Sequence, residues 1–334
     1  MIELKADSLV FSFPEVHRDA VLRVDFQRTL RIPDDGTDYP LPPGLGRFPI
    51  KHVDDFVERV PLEWIERAGV MLPMYQSEAV WLNLTSGDYP FAIKVAAGKV
   101  NAVTGDAWED GINRDPQDYL VVPEQPWLDG YCVERGVIRQ FVAMPLGSGY
   151  SAEEQLTGAA EHGGIQIKAH PMKREAYERL QEKRRREDRW MADAILSPAL
   201  PARYDMGLAP GGRMRQEIYD DPYAFRDWDL RQSSRCFVHV ANSMVWRAVT
   251  GQAPPTVPPT SEEYARAGLP WFEYYGGDLE ALDGSGTLGG LKSVADLGKE
   301  KGDVPLPENQ TVKPHNIVHL RNGLSKDQVR EGAF

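Results

Sequence analysis

Leu22-Arg-Val-Asp-Phe-Gln-Arg-Thr-Leu-Arg-Ile32 alternates along its whole length. Leu22, Val24, Phe26, Leu30 and Ile32 hold the even positions, while Arg23, Asp25, Gln27, Thr29 and Arg31 hold the odd ones. Successive side chains of an extended chain point to opposite faces, so this is a strand with one apolar face toward a core. Arg28 interrupts that face. An unpaired guanidinium is costly in an interior, so an acid or backbone carbonyls must meet it there.

Working outward, Pro33-Asp-Asp-Gly36 has the composition of a tight turn and predicts a hairpin into residues 37–41. Toward the N-terminus Ile2, Leu4 and Ala6 occupy even positions, but Leu9, Phe11 and Phe13 occupy odd ones. A bulge near Asp7 or Ser8 would reconcile the two registers. Further strands are predicted over residues 79–84, 91–97, 99–103, 118–122, 137–144 and 165–170, mostly separated by Gly, Pro, Asp or Asn. Closely spaced strands with turn signals read as an antiparallel β-sandwich or barrel-like unit over residues 1–171.

The texture then changes. Residues 172–193 are dense in Glu, Arg and Lys and free of Gly and Pro after Pro171, which predicts a charged, largely solvated helix or connector. Residues 194–334 read as an irregular α+β region packed on the β unit, with a strand at 237–241 and a short helix at 243–250. A stiff proline segment at 251–260 follows, leading to a helix capped by Thr260 or Ser261. The fold class is α+β and mainly β, and the two halves also fit one continuous domain.

Composition narrows the function classes. The chain has 334 residues, 42% hydrophobic and 26% charged, which supports a folded core. The 30 glycines and 26 prolines disfavour a helical bundle. A net charge of −12 disfavours nucleic acid as a partner. The first residues lack the pattern of a secretory signal, and no apolar run reaches membrane-spanning length; together these predict a soluble cytoplasmic protein without membrane contact. Cys132 and Cys236 lie far from each other and from any CxxC pattern, as expected of reduced, buried spectators.

Several segments resemble chemical motifs but lack the context those motifs need. Gly284-Ser-Gly-Thr-Leu-Gly289 matches GxGxxG, but no buried strand precedes it. Gly98-Lys99 looks like the end of a phosphate loop, yet position 93 is Ile and position 100 is Val, so a strand-turn-strand corner is the better reading. His52-Val-Asp-Asp55 offers one imidazole and two carboxylates that a turn explains as well. Neither a metal nor a cofactor is assigned.

The segment with the most acid/base character is Glu161-His-Gly-Gly164, with Glu153 and Glu154 upstream. His162 sits in a glycine loop entering a strand, where a titratable side chain can reach a ligand. Glu161, His162 and Glu154 are therefore the catalytic candidates. Arg213 and Arg215, beside Gly211 and Gly212, are candidates for an anion site, against the alternative that neighbouring acids neutralise them. Trp271, Tyr274 and Tyr275 are candidates for an interface, against packing on the core. The sequence favours a non-catalytic structural protein that associates with copies of itself, because its Pro- and Gly-rich segments need something to order them. The alternative is a hydrolase-type enzyme with its site at the loop ends near Glu161 and His162.

Overall fold

Leu22, Val24, Phe26, Leu30 and Ile32 are all completely buried in the computed structural model, which describes residues 1–188, 207–275 and 280–321. Arg28 points inward with them. Its Nε donates to Glu78 Oε1 at 2.8 Å and its Nη2 to the carbonyl of Thr256. The polar face of the same strand is buried too, which the alternation did not anticipate: Asp25, Gln27, Thr29 and Arg31 are under 5% exposed. Asp25 accepts hydrogen bonds from Ser8 Oγ and from Asn83 Nδ2, so the second face is covered by polar partners.

That strand, Val21–Thr29, lies inside a ten-stranded sheet. The order across it is Ile2–Lys5, Ser8–Ser12, Val21–Thr29, Ala79–Thr85, Val137–Met144, Gly207–Arg215 and Asp38–Tyr39, with three shorter strands pairing from the side. A seven-stranded sheet runs Val100–Asn101, Phe91–Ala97, Ile165–Pro171, Ser234–Asn242, Val70–Met74 and Lys51–His52, with Leu120–Val122 paired to Phe91–Ala97. One core cluster draws side chains from both, among them Phe26, Leu82 and Phe141 from the first and Ile93, Ile167 and Val238 from the second. The protein is mainly β, and neither sheet closes into a barrel among the described residues.

The sheets are mixed instead of antiparallel. Ser234–Asn242 pairs parallel with Val70–Met74, and Gly207–Arg215 pairs parallel with Asp38–Tyr39. Each partner comes from more than 150 residues away in sequence, a separation that local alternation does not register. For the same reason the chain after Gly36 does not fold back as a hairpin: Asp38–Tyr39 leaves its predecessor and joins Arg213 and Met214. No bulge reconciles the N-terminal registers. Ile2–Lys5 and Ser8–Ser12 form a two-residue hairpin whose central residues Ala6 and Asp7 have φ of 47° and 59°, the positive values that a type I′ turn requires.

The chain beyond residue 194 supplies inner strands to both sheets, so a division at residue 171 does not separate them. Gly211 and Gly212 belong to a strand and not to a loop. A Cβ on Gly211 would lie 2.4 Å from Val142 Cγ2, and one on Gly212 would lie 2.2 Å from the Pro33 carbonyl oxygen. The glycines allow close backbone approach within a sheet. The charged helix spans Arg174–Asp188: it starts two residues later than predicted, because Met172 bridges to Trp228, and the predicted residues 189–193 lie outside the described residues. Ala176 and Tyr177 are buried along one face. The helix Ser243–Thr250 starts on Asn242, whose side chain accepts from the Met244 and Val245 amides. Thr260 and Glu263 form a capping box for Ser261–Arg266. No helix among the described residues is long and apolar enough to cross a membrane.

Candidate functional site

His162 is brought to a cavity of about 530 Å³ by two turns of the seven-stranded sheet. One is the corner at Gly98, between Phe91–Ala97 and Val100–Asn101, which confirms the strand-turn-strand reading of that segment. The other is the loop that enters Ile165–Pro171, where Gly163 and Gly164 both take positive φ, 58° and 61°. The Gly98 amide donates to the Gly164 carbonyl at 2.9 Å, and Gln166 Nε2 donates to the Gly98 carbonyl at 2.6 Å. These bonds fasten the two turns together. A Cβ on Gly164 would sit 2.5 Å from the Val238 carbonyl oxygen, so a side chain there would push the loop off the sheet.

The partner of His162 is Glu153. Its carboxylate lies 2.9 Å from Nδ1 of the imidazole and accepts from the His162 amide at 3.2 Å and the Gly163 amide at 2.8 Å. Glu153 is 3% exposed and sits in the first turn of the helix Ala152–Thr157. With Nδ1–H donating to Glu153, Nε2 is the ring nitrogen left to meet a ligand. Burial holds the His162 imidazole below its ordinary pKa; Glu153 opposes that shift, while the nearby cations Arg67 and Lys99 reinforce it. A neutral imidazole fixed by a buried carboxylate, with cations beside it, can accept a proton from a water or a substrate and hold the resulting charge against Glu153.

The other catalytic candidates have different places. Glu154 is the reciprocal partner of Ser151 in a capping box and accepts from the Gly149 amide at 2.7 Å, so its carboxylate is consumed in starting the helix. Glu161 is largely exposed, with an oxygen 3.8 Å from His162 Nδ1. Of the cavity residues, Arg67 and Gln166 belong to no motif in the sequence and Lys99 enters one only as the end of a phosphate loop; Glu153, the partner of His162, is left unselected. A usable signal was present: Ser151-x-x-Glu154 is the capping-box pattern, which commits Glu154 and leaves Glu153 free for another role.

Cys236 also lines the cavity, but burial pushes its thiol up to about 12, and Cys132 up to about 11. Both stay protonated near neutrality and neither is an activated nucleophile. His52 and Asp54 belong to the cavity wall as well. Among the described residues no group of three His, Cys, Asp or Glu side chains is placed to hold a metal ion.

Arg213 is held between Asp38, 2.7 Å from Nε, and Glu134, which receives Nη1 at 2.7 Å and Nη2 at 3.0 Å. Arg215 Nη1 donates to Glu273 at 2.9 Å. Both charges are thus matched by carboxylates, though not by the nearest acids in sequence. Trp271 is completely buried against Tyr39 and Tyr264. The backbones of Tyr274 and Tyr275 continue its strand, Trp271–Tyr275, and their side chains lie outside the described residues. The glycine motif at 284–289 packs tightly: a Cβ on Gly284 would lie 2.2 Å from Glu134 Cα, and the segment runs against the strand Gly130–Glu134.

Compared with known proteins, the chain matches no family model, no curated protein and no solved structure.

Proposed function

We propose that this chain is a hydrolase-type enzyme acting on a small anionic substrate, with His162 as the general base and Glu153 as the residue that orients it. In this reading a water donates its proton to His162 Nε2 as it attacks the substrate's electrophilic centre. The imidazolium, stabilised by Glu153, then returns that proton to the leaving oxygen, so the histidine ends as it began. The observation that carries the proposal is the buried Glu153 carboxylate gripping Nδ1 of His162 at 2.9 Å on the wall of a cavity.

The competing idea, a non-catalytic protein ordered by copies of itself, draws its force from segments that need an external support. In the described residues those segments find support within their own chain. The Pro255 carbonyl accepts from Tyr75 Oη at 2.6 Å, the Thr256 carbonyl accepts from Arg28, and the Ser285 amide donates to Cys132 O at 3.0 Å.

The test is a panel of chromogenic carboxylate esters and phosphate esters offered to the wild type, His162→Gln and Glu153→Gln. We expect turnover of at least one class, a loss of about 100-fold or more in His162→Gln, and a displaced pH profile in Glu153→Gln. Wild-type inertness across the panel, or undiminished turnover by His162→Gln, would refute the assignment.

A further inference from the structure

The cavity has a chemically mixed lining. Ile2 and Leu4 of the N-terminal edge strand, together with Leu9, Val70 and Phe237, contribute apolar surface to it. Ile2 and Leu4 pack against the main core and keep part of their surface exposed. Arg67, Lys99 and Arg235 contribute cations to the same cavity. Arg67 ends the helix Leu62–Arg67; one of its amino groups donates to the Glu161 carbonyl at 2.9 Å, and its guanidinium lies 5.8 Å from the centroid of the Phe237 ring. It therefore sets a cation over an apolar ring of the lining, beside the loop that carries His162. Lys99 is exposed and follows Gly98 directly, at the corner fastened to the His162 loop.

We infer that the cavity binds an amphipathic carboxylate, its anionic head between Arg67 and Lys99 next to His162 and its aliphatic body along Ile2, Leu4 and Phe237. Guanidinium and carboxylate are matched in geometry, and an apolar chain laid on Phe237 removes from water the surface that the edge strand leaves exposed. A volume of about 530 Å³ suits a ligand of that size. The cavity also contains Glu3, Asp54 and Glu66, which would oppose an anion placed near them. Glu3 is committed to Lys5 at 2.5 Å. Around His162 the cations Arg67 and Lys99 stand against two carboxylates, Glu153 at 2.9 Å and the exposed Glu161 at 3.8 Å from Nδ1, and the head group is assigned to the side of the two cations.

This inference rests on the proposed acid/base reading only for the identity of the substrate; binding is measured without turnover. Calorimetry on the full chain would compare octanoate, acetate, octanol and octyltrimethylammonium, then repeat octanoate with Arg67→Ala and Lys99→Ala. Octanoate should bind at least tenfold more tightly than the other three, and each substitution should weaken octanoate several-fold while leaving octanol unchanged. Equal binding of acetate would remove the apolar lining from the argument, equal binding of octanol would remove the cations, and tighter binding of the ammonium amphiphile would reverse the sign of the site. Any of these overturns the inference. Lys99 is exposed, so its variant keeps the test sound if Arg67→Ala misfolds. Octanoate binding without hydrolysis of any ester would sink the enzymatic reading and leave this one intact.

Discussion

Glu153 illustrates how much one residue can be asked to do. Its two oxygens receive an imidazole and two backbone amides, so it closes the loop on the helix and sets the tautomer of His162 in one arrangement. The arrangement needs Gly98, because a Cβ there would lie 2.4 Å from Glu153 Oε2 and its φ is +57°. Gly98→Ala should therefore cost more stability than Gly158→Ala, where φ is +71° but nothing lies within 4 Å. The second variant carries only the backbone penalty of about 1 kcal/mol, and the excess in the first is the displaced carboxylate. Thermal unfolding measures the difference. Imidazole NMR should show His162 titrating still lower in Gly98→Ala, since the group that raises its pKa has moved away. His239 gives a second readout at this scale. Its Nε2 donates to the Ala68 carbonyl at 2.9 Å between Trp64 and Phe237, and burial lowers its pKa to about 4. Above pH 6.5 it is neutral whether folded or unfolded. Between about 6.5 and 4 only the unfolded chain takes up the proton, so stability falls as the pH drops through that window, by at most about 3 kcal/mol, and the loss levels off below it. His239→Gln should flatten that part of a urea-denaturation pH series relative to wild type.

At the scale of elements, the strongest local patterns were legible before any fold was known. Phe91–Ala97, Val137–Met144 and Ser243–Thr250 begin and end where alternation and capping place them. What was not legible depends on a distant partner. The glycines of residues 205–215 suit a connecting loop when only the local sequence is considered, yet Gly207–Arg215 is a strand in which Val142 and Pro33 leave no room for a Cβ on Gly211 or Gly212. The polar face of Val21–Thr29 reads as solvated because nothing local shows that Ser8 and Asn83 will cover Asp25. Glu153 was hidden for a similar reason, since its partner lies nine residues on, across a turn. The helix Arg174–Asp188 shows both sides of the matter. Its charged surface is exposed as composition requires, but Tyr177 is buried, its ring 4.2 Å from that of Tyr89 and 5.0 Å from that of His17. Tyr177→Ala should cost about 3 kcal/mol, whereas Glu178→Ala on the exposed face should change stability by less than about 0.5 kcal/mol. Urea titrations of the two variants would show whether the helix is held by that single face.

For the whole molecule the question is what orders a chain so rich in glycine and proline, and Trp271 puts it in testable form. Were the aromatic segment an interface, removing its largest ring would weaken association and leave the fold unaffected. The indole is instead completely buried, with Tyr264 edge-on at 6.0 Å and Tyr39 tilted at 6.1 Å. Its strand pairs parallel with Ile317–Arg321, and Phe272 bridges to Leu41, so three distant parts of the chain meet around it. Trp271→Ala should then cost about 4 kcal/mol of folding stability, in the range of buried aromatic truncations. Trp271→Phe should cost less than half of that. The indole Nε1 is buried with no hydrogen-bond partner among the described residues, so a phenyl ring keeps much of the packing and removes a donor that gains nothing from being there. Sedimentation of the same proteins decides between the two pictures. An unchanged mass together with a large loss of stability places the support inside the chain. A wild-type oligomer that Trp271→Ala dissociates at unchanged stability would mean that the aromatic segment does its ordering between copies.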